Sequence, residues 1–144
     1  MNVNQRNATR NQSTADYSKK KLFLFDNRFA NGLLTNDSSP ATTWTIQTGQ
    51  LVYRKASGTH LTLNASGNVL VGVLNIDGTV EVLNNASISV YYGTKGTING
   101  LELVDIAGAS LNLTNANGIA LKDSLDNIGI HVDTSTVEHT KFDN

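Results

Sequence analysis

Between Gly67 and Leu103 the chain alternates between short apolar runs and turn residues. The runs cover residues 69–74, 80–83, 88–92 and 98–103, and Val, Ile, Leu and Tyr dominate them. Such side chains pack well on a pleated surface. Asp77-Gly78, Asn84-Asn85, Gly93 and Gly96 separate the runs, and Asn99-Gly100 interrupts the last. Asn, Asp and Gly tolerate the positive φ of tight turns. Val80 and Val82 flank Glu81, and Ile88 and Val90 alternate with serines; a period of two predicts strands with one wet face. Residues 69–74 hold no polar side chain, which predicts a strand covered on both sides, with Gly72 marking a bulge or a close backbone approach.

The same pattern extends outward from this centre. Trp44-Thr45-Ile46 alternates, residues 51–55 read as a strand, and 61–63 as an extended piece; a loop around Pro40 precedes them. Gly32 offers a turn between Phe29 and Leu33-Leu34, and 106–113 reads as short extended pieces. A helix is predicted over 118–127, capped from within 114–117 and closed by Gly129 in the left-handed C′ position. Leu121, Leu125 and Ile128 give it a narrow apolar face, and 130–132 is a last strand. Strands at this spacing indicate a mainly β fold, a small β-sandwich or barrel-like domain with one short C-terminal helix.

Residues 1–18 break the pattern: they lack periodicity and contain almost nothing large and apolar. A segment that cannot offset its ordering entropy by burial is expected to be a disordered arm. Lys19, Lys20 and Lys21 then precede Leu22, Phe23, Leu24 and Phe25. Those four apolar residues predict either the first core strand or a strand added to a partner's sheet, with the partner favoured; the lysines act as gatekeepers in both cases. The expected organisation is an extended N-terminal arm over 1–32, a β-rich domain over 33–133 and a flexible polar tail over 134–144.

Charge sharpens that division. Up to Arg28 there are six cations against two acids, and after it five cations against ten, for an overall net of −1. A basic arm on an acidic body reads as an interaction tail. Nucleic acid is not its expected partner, since the body repels a polyanion and the arm lacks a stacking platform. There is no run of about 18 apolar residues for a membrane span, and the first apolar cluster is too short for a signal peptide. With no cysteine there is no disulfide framework, so stability rests on packing or oligomerisation.

Catalytic and metal-binding patterns do not emerge. His60, His131 and His139 are scattered without ligand spacing. Glu102 with Asp105, and Asp123 with Asp126, read as solvated carboxylates, and Asp77-Gly78 lacks the other positions of a calcium loop. Residues 93–100 match neither a phosphate loop nor a dinucleotide fingerprint, and no nucleophile elbow is present. The chain reads as a non-enzyme without cofactor or metal.

The order of motifs across the body carries a resemblance. Residues 47–54 (QTGQLVYR), 68–74 (NVLVGVL), the strand pair around Val80 and Ile88-Ser89-Val90, 92–99 (YGTKGTIN), and a helix closed by 128–132 (IGIHV) follow in sequence. Over roughly residues 33 to 133 this resembles the lambda-type head decoration proteins of tailed bacteriophages. Gly96-Thr97-Ile98-Asn99 departs from the commoner Gly-Glu-Val-Asn, and the Asn-rich arm is not shared in detail. The resemblance implies a homotrimer on the outside of the virion head at three-fold positions, made in the host cytoplasm. Its partner would be the major capsid protein, reached through the arm: Lys19, Lys20, Lys21, Leu22, Phe23, Leu24, Phe25 and Arg28. The alternative is a tail-fibre or head-fibre adhesin module stacking a host surface glycan on Trp44, Tyr53, Tyr91 or Tyr92, rings that a core would otherwise absorb. A secreted lectin-like or pilus subunit is the third reading, disfavoured without a signal peptide.

Overall fold

The computed structural model describes residues 21–134, so Lys19, Lys20 and all but the first residue of the expected tail lie outside the described residues. Eight strands and one α-helix follow in the order β1 (Phe23–Thr35), β2 (Trp44–Gln47), β3 (Leu51–Arg54), β4 (Leu61–Thr62), β5 (Val69–Asn75), β6 (Thr79–Val82), β7 (Ser87–Asn99), α1 (Ala116–Asn127) and β8 (Ile130–Asp133). A 3₁₀ turn at Gly100–Glu102 follows β7. The protein is mainly β and is built on a five-strand barrel.

The barrel runs β1-β4-β3-β5-β7 and closes where β7 returns to β1. Its one parallel contact is also its smallest, the pair Leu34↔Leu61 between β1 and β4. The longest pairing joins β1 to β7 antiparallel, from Phe23↔Ile98 to Thr35↔Ser87. With β1 along one edge of β7, the other edge serves β5 at 91–93 and β8, in parallel, at 96–99. Closure leaves the five strands few unpaired edges.

Alternation sorts the apolar side chains into two cores. Inward-facing Leu34, Val52, Leu61, Leu74, Val90 and Tyr92 fill the barrel, and the two-stranded β2–β6 ribbon packs Trp44, Ile46 and Val82 against them. On the outside of the barrel, Leu22, Val73 and Ile98 meet Leu103, Leu113, Leu125 of α1 and Ile130 of β8. Successive residues Val73 and Leu74 therefore point into different cores, which is why neither is polar. Val69, at its start, is 61 % exposed and departs from that expectation.

Gly72 combines both predicted features. β5 gains an extra residue opposite Val52 and Tyr53, and a Cβ on Gly72 would lie 2.2 Å from the Gly93 carbonyl oxygen. The turns expected at Gly93, Gly96 and Gly32 are not turns. β7 runs unbroken through the first two and β1 through the third. Gly93 is small because the Phe23 ring lies where its Cβ would be, at 2.4 Å, and Gly32 because Leu61 does, at 2.6 Å. Gly96 has φ +115° where the strand pair is irregular, with Asn27 and the Phe25 carbonyl crowding it.

The part of the expected arm that is described, from residue 21 on, belongs to the barrel from Leu22 onward. Leu22 is buried in the second core and Phe23 pairs with Ile98, so this apolar run joins the chain's own sheet rather than a partner's. The boundary drawn at residue 32 falls inside β1. Leu22 and Phe23 gain more from a preformed apolar surface in the same molecule than from one awaiting a collision. The helix starts at Ala116, with the Asn115 side chain accepting from Gly118 N at 2.8 Å. Gly129 at φ +97° follows Ile128 and ends it as expected.

Candidate functional site: the outer face of the β1–β7 ladder

On β7, Val90 and Tyr92 point into the barrel, so Ser89 and Tyr91 point out. On β1, Leu34 and the half-buried Gly32 and Ala30 point in, leaving Leu33, Asn31 and Phe29 outside. The register places Leu33 opposite Ser89, Asn31 opposite Tyr91 and Phe29 opposite Gly93. Leu33 and Phe29 are therefore the two diagonal neighbours of Tyr91, a separation of roughly 7–8 Å that large side chains span. All three are solvent-accessible, at 52 %, 46 % and 58 %. The Phe29 ring meets Phe23 edge-on, centroids 4.9 Å apart, which joins the exposed stripe to the rim of the second core.

Three register shifts lie between Phe23 and Phe29. They break strict alternation, so Phe25 (58 % exposed), Arg28 and Phe29 all reach solvent. Asp26 takes φ +52° within this stretch, and Asn27 anchors it by donating to the Thr97 carbonyl at 3.2 Å. Arg28 is the cross-strand partner of Lys95, which is also exposed. Two cations directly opposite each other destabilise a ladder unless something anionic covers them.

The structure thus distributes the residues singled out from the sequence. Lys21, Phe25 and Arg28 are exposed at the head of the face. Leu22 is core, and Phe23 and Leu24 are partly buried. The face also gains Phe29, Leu33, Tyr91 and Lys95. Their outward direction follows from alternation alone, but their convergence needed the β1–β7 register, which separates partners by 56 positions at Leu33↔Ser89.

Of the aromatic rings considered for sugar stacking, Trp44 and Tyr92 are buried at 5 % and 4 % exposure, and Tyr91 alone is exposed. Tyr53 is half-buried, and burial pushes its phenol above its ordinary value. It lines an apolar pocket of about 160 Å³ with Leu51, Leu63, Val104, Ile106 and Leu111, while Gln50 and Asp105 supply the polar rim. Gln50 is committed to the backbone: its Oε1 accepts from Gln47 N at 2.9 Å, and Nε2 donates to the Ile106 carbonyl at 3.2 Å. Asp105 is likewise occupied, accepting from Ala107 N and Ala109 N at 2.9 Å each.

One polar cluster had no sequence signal. Asp37 accepts from Lys55 Nζ, from Thr62 Oγ1 at 2.6 Å and from Asn64 Nδ2 at 2.8 Å. Burial by itself would raise this carboxyl. The hydrogen bonds from Lys55 and Thr62, the Lys55 charge and the Asn64 bond outweigh it and hold the group below its usual range. Both carboxylate oxygens are engaged, so the cluster ties the loop after β1 to the end of β3 and to β4. Among the described residues no three His, Asp or Glu side chains gather as metal ligands would, and no helix is long and apolar enough to cross a membrane. No family model and no curated protein matches the chain.

Proposed function

We propose that the protein is a bacteriophage capsid decoration protein, a homotrimer that binds the outside of the expanded head at three-fold positions and clamps the shell through its basic N-terminal segment. The observation that carries this reading is that Lys21, Phe25 and Arg28 are exposed together at the head of β1, around Asp26, on a closed barrel whose strands are otherwise internally paired. Two further features support it: the order of motifs resembling that family, and a charge division that makes the N-terminal end the one attractive to an acidic shell surface. In this reading Leu22 and Phe23 anchor the base of the arm in the second core, so Lys19, Lys20, Lys21 and Phe25 are the groups presented to the major capsid protein. A clamp rooted in a rigid sheet transmits load to the domain, and many weak clamps add up on a shell.

The test is binding of the full chain to expanded, undecorated icosahedral shells, read by co-sedimentation. Lysines 19, 20 and 21 replaced together by Glu, and Phe25→Asp separately, should each abolish saturable binding while leaving the fold intact by circular dichroism. Undiminished binding by both variants overturns the assignment of the contact. No binding by the unaltered chain, with retention on a glycan array that Tyr91→Ala abolishes, would establish the adhesin alternative, which the exposed Tyr91 ring favours.

A further inference from the structure

Arg28 and Lys95 form a like-charge cross-strand pair beside an exposed apolar stripe. Among the described residues neither forms an ion pair. Asp26, exposed in the same irregular stretch, pairs with neither cation. The complementary surface lies on the β2–β6 ribbon of the same molecule. No Lys or Arg occurs between Lys55 and Lys95, while Asp77 and Glu81 both do. Both carboxylates are exposed, and Leu83, which follows β6, is 64 % exposed. One surface is apolar with cations, the other apolar with carboxylates.

We infer that the stripe Phe29–Tyr91–Leu33, with Arg28 and Lys95, seats the β2–β6 ribbon of a second copy of this chain, head to tail. Charge favours one geometry. A two-fold contact of the ladder face with itself would gather four cations, Arg28 and Lys95 from each copy, with only the two copies of Asp26 to offset them. A contact between two different patches puts cations against Asp77 and Glu81 instead, and such contacts close into rings when the rotation allows. Tyr91 and Phe29 are the anchors, large rings that bury much area at low entropic cost. The head-to-tail contact rests on the decoration reading only for the number of copies in the ring, three.

The experiment reads mass in solution, without any shell, so its failure and the failure of shell binding are separable. Native mass spectrometry and light scattering of the full chain at micromolar concentration should show a trimer that dissociates more readily as salt rises. Tyr91→Asp should give monomers. Arg28→Glu with Lys95→Glu should weaken association by about tenfold or more, as should Asp77→Lys with Glu81→Lys. The chain carrying all four reversals should reassemble, an outcome misfolding cannot produce. A monomer in the unaltered chain, a two-fold dimer, or a trimer indifferent to Tyr91→Asp and to the reversals each overturns the inference.

Discussion

Asp37 shows how a single side chain holds three stretches of backbone together. Its partners Lys55, Thr62 and Asn64 come from separate positions along the chain, so no local spacing in the sequence announces the cluster. Only the closure of β1 against β4 collects it. Because the carboxyl is held below its usual value, its contribution is fully present above the unfolded-state value and is lost as pH falls through the folded one. Asp37→Asn should therefore lower stability by about 1–2 kcal/mol near neutrality. The gap to the unaltered protein should begin to narrow as pH falls below about 4, the ordinary carboxylate value, and should close only once the folded carboxyl itself is protonated. Urea unfolding as a function of pH checks both statements; a gap independent of pH would mean the charge plays no part. Asn36 beside it was equally silent in the sequence. It is wholly buried, with Nδ2 donating to the carbonyls of Thr42 and Val82 at 2.7 and 2.8 Å.

Among the elements, legibility followed the range of the interactions involved. The helix's C-terminal end was readable, and its start lay two residues before the expected 118 but within the expected capping segment, because capping is local: Asn115 and Gly129 sit within a few residues of what they cap. Asn115→Ala should cost about 1 kcal/mol in a thermal melt. β6 and the inner part of β7 were readable because period two is local as well. The full length of β7 was not, since glycine in sequence does not tell a turn from a place where another side chain lies close. Gly93 and Gly72 belong to the second kind, and Gly78 to the first. A methyl at Gly72 meets the backbone oxygen of Gly93, whereas one at Gly78 meets nothing within 4 Å and suffers only from φ +62°. Gly72→Ala should thus lose about 2–3 kcal/mol and Gly78→Ala about 1 kcal/mol. Equal losses in denaturant titrations would show that the barrel wall is softer than its contacts suggest.

At the scale of the molecule, charge and topology combine. On the head-to-tail proposal Arg28 and Lys95 of one copy would meet Asp77 and Glu81 of the next, and on the decoration reading the basic N-terminal end would be left for the shell. The mainly β character was legible because turn residues recur between strands. The barrel's closure was not, because it depends on β1 finding β7 across the whole intervening chain. That pairing has a consequence in time. Phe23 meets Ile98 and Leu33 meets Ser89, so during synthesis β1 is made well before its partner exists. At about 5–20 residues per second the wait is roughly 3–15 s. Throughout it Phe23, Phe25, Phe29 and Leu33 belong to an unpaired strand on a nascent chain, and the charges from 19 to 33 are four cations, Lys19, Lys20, Lys21 and Arg28, against Asp26. Mutual repulsion between those cations on neighbouring nascent chains keeps the strand from pairing with its own kind before β7 arrives. The basic end thereby serves the protein first as a protection during birth.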